Sequence, residues 1–294
     1  ELLALAGVAD FRALDEDGRM RALEDRLEAA DPLAIPTEAL SRATREVLEL
    51  GFPGARGKRA VVISGRQTLL STFLFYQTMA HVGRNVGEFL ATLERGGPEA
   101  GRRALGMARV LGGIDVEVAE GDGPWRAIGS FDEAGPIAGD RRALPFEASG
   151  GGRLRVRLRL ARGHWRLDSV AVAELGEPRV PVRLEPFSVE RDGYRDHAAK
   201  ARLRQGERHL VTRPGDAYRL VFRLPRSERP LDLFLESEGF YYEWMRAEWL
   251  AEEDPGMAAL ALVSPGEALR RLAPAYKAQE GRLEEAFWAS RFRK

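Results

Sequence analysis

The sequence predicts an α+β protein in which helical regions flank an antiparallel β-sandwich. Before residue 56 and again after residue 239, apolar residues recur at spacings of three and four, which is typical of helices. Between Ile114 and Glu236 they alternate with polar residues, which is typical of strands with one buried face. A chain of 294 residues with 44% hydrophobic content is long enough to bury such a core.

The first part of the chain, residues 1–56, is predicted to be helical. Leucines in 11–30 and 37–50 have helical spacing, and Gly51 and Pro53 then supply a stop signal. The β-branched run 59–65 predicts a strand. The stretch 67–95 returns to helical spacing and predicts one long inserted helix, which Gly83 and Gly87 weaken without ending.

Two hairpins are predicted from period-two segments. In the first, Val118 faces Trp125, so that opposite charges meet on one side and apolar groups on the other. In the second, one register satisfies every pair. It sets Leu224, Phe222 and Leu220 opposite Leu231, Leu233 and Leu235, and Arg223 and Arg219 opposite Asp232 and Glu236.

Helices resume after Gly239 and form a C-terminal cap. Asp254 is expected to cap a helix that has Pro255 at its first position. The aromatic segment 240–250 is expected to cover an open face of the sandwich. The alternatives are a partner interface, where large rings dominate affinity, and a ligand cleft. Its candidate contact residues are Tyr241, Tyr242, Trp244 and Trp249.

The stretch 153–160 alternates arginines with aliphatic residues, which predicts a strand whose arginines face outward. Arg155 and Arg157 are candidate binding residues for sulfate, phosphate or uronic acid groups, because guanidinium groups bind the oxygens of such groups in a bidentate manner. Like charges in a row repel, however. A charge-paired surface strand is therefore the favoured interpretation, with Asp115 and Glu117 as partners.

After Gly163, a histidine, a tryptophan and an aspartate form a second group of candidates. Trp165 is a candidate sugar-stacking platform, and a core or rim position is the competing interpretation. His164 and Asp168 share a strand face only if no bulge intervenes. Since Val170 and Val172 lie in the same register, we expect a bulge near Asp168.

The segment "GHWRLDSVAV" at 163–172 resembles the closing strand of galactose-binding-like jelly-roll sandwiches, and "RAVVISG" and "GPWRAIGSF" resemble the early strands. The resemblance implies a jelly-roll-like sandwich over residues 57–178 that contains the inserted helix 67–95. Residues 1–56 then form a helical N-terminal region, and 179–294 form an additional β-hairpin region with C-terminal helices.

Four segments in this order, beginning with "SGRQTLLSTFLFYQTMAHVG" and ending with "GFYYEWMRAEW", also resemble functionally uncharacterised bacterial proteins, many of them lipoproteins. That resemblance implies a location in the cell envelope. The chain begins at Glu1 and not at Met, so we expect a leading segment to be missing. The protein is then periplasmic or anchored through a lipid-bearing cysteine in that segment, and the alternative is a cytoplasmic location.

Composition excludes several function classes. The 45 basic and 45 acidic residues cancel, so no nucleic acid partner is expected. The chain has no cysteine, and its four histidines form no pair at metal-ligand spacing, so neither a metal nor a cofactor is expected. The most apolar run, 67–80, is shorter than the roughly 20 residues that span a bilayer.

The sequence therefore predicts a non-catalytic interaction or structural component of the bacterial envelope, with a protein partner in a larger assembly. The alternative is a carbohydrate-binding or carbohydrate-processing module that holds a glycan on an aromatic platform.

Overall fold

The computed structural model describes residues 2–6, 10–14, 37, 42–43, 45–97, 106–132, 139–176, 180–204, 209–213, 215–227, 231, 233–237, 239 and 250–289. The chain divides into two compact units. The larger comprises Glu1–Glu177 and Met245–Lys294, and the smaller comprises Pro178–Trp244.

The larger unit contains two antiparallel sheets. Its strands, in chain order, are β1 (Leu2–Ala6), β2 (Asp10–Leu14), β3 (Arg45–Phe52), β4 (Arg56–Gln67), β5 (Ile114–Glu120), β6 (Arg126–Phe131), β7 (Asp140–Ser149), β8 (Leu154–Ala161) and β9 (Trp165–Leu175). One sheet has the order β2-β3-β8-β5-β6 and the other β1-β9-β4-β7. The expected α+β class with antiparallel sheets is confirmed.

One hydrophobic core is formed by side chains from both sheets. In β8 the predicted alternation is confirmed, because Leu154, Val156, Leu158 and Leu160 are each 0% exposed. The arginines between them lie on the outer face of the five-stranded sheet. Burial of one face of each strand is the main force that holds the two sheets together.

The helical expectation for the N-terminal region is wrong for residues 10–14 and 45–52. These residues form β2 and β3. Leu48, Leu50 and Phe52 are at most 1% exposed and lie two residues apart, so they share one face of a strand. Pairing of β3 with β8 overrides the local helical spacing. Residues 15–36 lie outside the described residues.

The expected bulge near Asp168 is confirmed. Ser64 pairs with Ser169 but Gly65 pairs with Leu167, so Asp168 is the extra residue of β9. The extra residue lets Leu167 and Val170 both face the core.

The register expected for the β5–β6 hairpin is wrong. Val118 pairs with Arg126, not with Trp125. A second irregularity lies between Val116 and Glu117, next to Gly129, whose φ of 150° is a backbone conformation that favours glycine. The pattern of alternating charges alone does not reveal this bulge.

The helices of the larger unit are α1 (Leu70–Val82), α2 (Val86–Arg95), α3 (Gly106–Leu111), α5 (Pro255–Val263), α6 (Pro265–Lys277) and α7 (Glu280–Ala289), while α4 (His197–Arg204) belongs to the smaller unit. The inserted helix is thus interrupted, because Gly83 adopts φ 59° and a 3-10 turn separates α1 from α2. The expected N-cap of α5 is confirmed, since Asp254 Oδ1 accepts a hydrogen bond from the Met257 amide at 3.0 Å. Leu70 and Leu74 of α1 pack against Leu269 and Tyr276 of α6 in a second core.

The smaller unit contains β10 (Ser188–Arg191), β11 (Tyr194–Arg195) and β12 (Tyr218–Val221), in the sheet order β11-β10-β12. The hairpin expected between 219–224 and 231–236 is absent among its described residues. Instead β12 pairs with β10, where Leu220 lies opposite the buried Val189 and Arg219 opposite Glu190. Strand β10 presents the apolar Val189 and the acidic Glu190 to β12, so it matches the alternation of β12 and occupies one of its two edges.

Candidate interaction surface

The outer face of the five-stranded sheet carries paired charges. A guanidinium nitrogen of Arg157 lies 2.6 Å from Glu49 Oε1, and another lies 3.6 Å from Glu117 Oε2. Arg159 contacts the same Glu117 oxygen at 3.2 Å, and Arg155 donates to the Gly123 carbonyl at 3.0 Å. Arg157 and Arg159 are therefore paired with acidic residues of neighbouring strands, as the charge-paired interpretation expects, with Glu49 as a partner that the sequence analysis did not identify. Arg155 instead contacts a loop carbonyl, and its Nε is buried without a hydrogen-bond partner.

Trp125 is the aromatic residue of this face, and sequence reasoning missed it. The Arg157 guanidinium carbon lies 3.8 Å from the centroid of its ring, and that of Arg155 lies 4.9 Å away. Such cation–π contacts stabilise a half-exposed ring. The sequence feature that could have identified Trp125 is its position directly after Gly123 and Pro124. Because this position comes before the strand begins, the ring can lie flat on the sheet.

The predicted platform residue Trp165 lies in the core. Trp165 is 4% exposed, so the structure gives it the core position that was the competing interpretation of the sequence. The adjacent His164 is 2% exposed, and the two rings meet edge to face at 5.4 Å.

Burial shapes the chemistry of His164. Its Nε2 lies 3.2 Å from the amide nitrogen of Gln67, which donates to it. Desolvation, together with the nearby Arg45, lowers the pKa of His164 to about 3, so the ring is neutral at pH 7. Asp168 is exposed at the bulge, on the opposite face of β9. The structure therefore does not bring the candidates His164, Trp165, Asp168, Arg155 and Arg157 together, and their role in ligand binding stays a prediction.

A narrow pocket opens at the end of the sandwich where β4, β6 and β9 meet, with an empty volume of about 290 Å³ that includes space open to solvent. Gln67 and Trp165 are among its lining residues. The Gln67 carbonyl oxygen and the Trp165 indole nitrogen are buried without a hydrogen-bond partner.

Glu120 has a structural role. Its carboxylate accepts hydrogen bonds from the Ser149 and Gly151 amides and from the Ser149 hydroxyl, each at 2.8 Å. These bonds lower the pKa of Glu120 to about 2. Across the described ranges, no group of three or more His, Asp or Glu residues lies close enough together to hold a metal ion.

The smaller unit exposes most of the large apolar side chains that are open to solvent in the described part of the chain. We call ten of them the exposed apolar set: Val180, Val182, Val211, Leu220, Phe222, Leu224, Leu231, Leu233, Phe234 and Leu235. Their exposed fractions reach 91% for Val180 and 84% for Phe234. Single exposed apolar residues are common, whereas large contiguous apolar patches are typical of interaction sites.

The same unit has little core of its own. Within its described residues only Ser188, Val189 and Ala199 are buried. Polar contacts order its loops instead, because Arg191 lies 2.7 Å from Asp216, and Asp216 in turn accepts from the Arg213 amide at 2.9 Å. The attraction of Asp216 raises the pKa of Arg191, which therefore remains charged.

The aromatic candidates Tyr241, Tyr242, Trp244 and Trp249 lie outside the described residues. None of the helices in the described ranges combines the length and the apolar character that a membrane crossing requires. Neither a protein-family model nor a curated protein matches this sequence.

Proposed function

We propose that the protein is a non-catalytic interaction component that binds a protein partner through the exposed apolar set of its smaller unit. One observation carries the proposal: residues such as Val180, Val211 and Phe234 are largely exposed while the unit buries few side chains of its own. Apolar surface left in water is unfavourable by roughly 25 cal/mol per Å², so a partner that covers it gains affinity from the burial.

The charges of the unit favour the same function. Arg183 and Glu236 form a bidentate pair at the surface, next to Val182 and Leu235 of the exposed apolar set. Their side chains are 77% and 71% exposed. An apolar centre with a polar rim is the usual organisation of a protein interface.

The test places a photo-crosslinking amino acid at Val180 or at Val211 and irradiates cells of the source organism. We expect one protein to be crosslinked from both positions, and to co-purify in a fixed ratio with the unmodified chain. The matched control is Val263, which is 81% exposed but lies at the end of α5 in the larger unit. Crosslinks of equal yield from Val263, or none from Val180 and Val211, would falsify the proposal.

The exposed apolar set also predicts the effect of charged substitutions. Val180→Asp combined with Val211→Asp should lower partner recovery at least about tenfold, since each charge must be desolvated on binding. Val263→Asp should leave recovery unchanged.

The bacterial envelope location and the jelly-roll-like topology remain part of the proposal. The succession of strands supports the topology, since only β2 with β3 and β5 with β6 are consecutive strands of one sheet. At the other six connections between the described strands β1 to β9 the chain moves from one sheet to the other. Mass spectrometry of the N-terminus of the native protein tests the location. A lipid-bearing cysteine or a cleaved signal segment is expected, and an intact cytoplasmic start would contradict it.

A further inference from the structure

We propose that the free edge of β12 receives residues 231–236 of a second copy of this chain, so that two copies exchange this strand. The inference rests on the proposed function and names the partner for one part of the exposed apolar set.

The first support is the position of β12 in its sheet. The order β11-β10-β12 makes β12 an edge strand, and in the described part of the chain no strand pairs with its outer side. The backbone N–H and C=O groups along such an edge are a template for a further strand. Addition of a strand from another chain is a common mode of recognition.

The second support is side-chain complementarity in one antiparallel register. Leu220 meets Leu235, Phe222 meets Leu233, and Leu224 meets Leu231, while Arg219 meets Glu236. A shift by one residue in either direction sets Arg223 against a leucine and separates Arg219 from Glu236, although apolar pairs with Phe234 remain. The charged pair therefore favours this register.

The third support is that both segments are open to solvent in this structure. Leu220 is 41% exposed, Leu233 66% and Leu235 81%, so pairing buries side chains that now contact water. The present ion pairs are weak competitors. Arg219 is 81% exposed and lies 3.9 Å from Glu190, and the pair of Arg183 with Glu236 is also exposed. Exposed pairs contribute about 0–1 kcal/mol each.

The fourth support concerns why the strand comes from a second copy. Residues 222–227 contain no turn or bend, so this part of the connection runs on from β12 instead of folding back. Pro225 and Pro230 restrict the same connection. Since each copy has one edge and one strand to offer, the exchange closes into a two-fold symmetric dimer.

The absence of cysteine from the chain allows a direct test. Phe222→Cys is made in one preparation and Leu233→Cys in another, and the two are mixed and oxidised. We expect a disulfide-linked heterodimer, because directly opposed Cβ atoms lie within disulfide reach. The matched control replaces Leu233→Cys by Phe234→Cys, which is 84% exposed but points to the other face of the strand. We expect its yield to be at least about tenfold lower.

A second measurement is light scattering of the unmodified chain against concentration. We expect a reversible dimer, and Leu233→Asp should shift it to monomer. Equal disulfide yields for Leu233→Cys and Phe234→Cys would overturn the inference. So would a variant carrying both Phe222→Cys and Leu233→Cys that oxidises within single chains. The crosslinks from Val180 and Val211 lie outside the exchanged strand, so they test the proposed function independently.

Discussion

The amide nitrogen of Gln67 lies 3.2 Å from Nε2 of His164, and both side chains are buried at the end of the sandwich. Because the amide nitrogen can only donate, His164 must accept through Nε2 and carry its proton on Nδ1. A protonated imidazole would present a donor to a donor in a buried site. This pair therefore ties the protonation state of one histidine to the fold.

The first prediction is a loss of stability in mild acid. The pKa of His164 is lowered to about 3 in the folded state, against about 6.5 when unfolded. Its contribution is thus complete above pH 6.5 and is lost as pH falls toward 3, at up to about 1.4 kcal/mol per pH unit. His164→Gln keeps an acceptor but cannot titrate, so urea unfolding between pH 7 and 5 should show a smaller decline. His197→Gln, at an exposed position, should follow the wild type.

The second prediction concerns Trp165. Trp165→Ala removes a side chain that is 4% exposed and should lower the free energy of unfolding by about 3–5 kcal/mol. Trp288→Ala, at a position 37% exposed, should cost far less. A glycan array provides the opposing test. Sugar binding by the wild type that vanishes in a stable Trp165→Ala variant would show that the ring is accessible after all.

The third prediction compares two ion pairs. The side chains of Arg157 and Glu49 are 18% and 21% exposed, whereas those of Arg183 and Glu236 are 77% and 71% exposed. Double-mutant cycles with glutamine substitutions should give a coupling energy of about 1 kcal/mol for the first pair and near zero for the second, because solvent screens exposed charges. Equal coupling energies for the two pairs would show that the neighbouring strands around Arg157 do not strengthen its ion pair with Glu49.

The fourth prediction concerns Glu120. Its pKa is lowered to about 2 by hydrogen bonds from Ser149 and Gly151, so its stabilising effect is present above the unfolded pKa and disappears as pH falls toward 2. Glu120→Gln should destabilise the protein at pH 7 by about 1 kcal/mol, after allowance for solvent screening. At pH 2.5 the difference in unfolding free energy should be much smaller. A difference that does not depend on pH would contradict the role of the charge.

Much of the sandwich could be predicted from local pattern. The alternation from Leu154 to Leu160 determined which side chains enter the core, since successive residues of a strand point to opposite faces. The bulge at Asp168 could also be predicted, because an aspartate in register with two valines cannot share their buried face without a partner. Asp254 and Pro255 likewise marked the start of α5.

The candidate site was less predictable. Trp165 and Trp125 are both tryptophans next to alternating aliphatic residues, yet one lies in the core and the other lies over Arg157. Their positions depend on the bulge beside Gly129 and on which strands supply Glu49 and Glu117. These partners are far apart in sequence.

The sequence by itself determined the faces of β8, the bulge in β9 and the C-terminal helices, because each depends on residues within a few positions of one another. Only the tertiary structure decided that 45–52 is a strand and that β12 pairs with β10. Several segments carry the same alternation, so pairing is a competition among them. Its outcome depends on burial and charge contacts, such as those of Leu220 with Val189 and Arg219 with Glu190, that form only when distant parts of the chain meet.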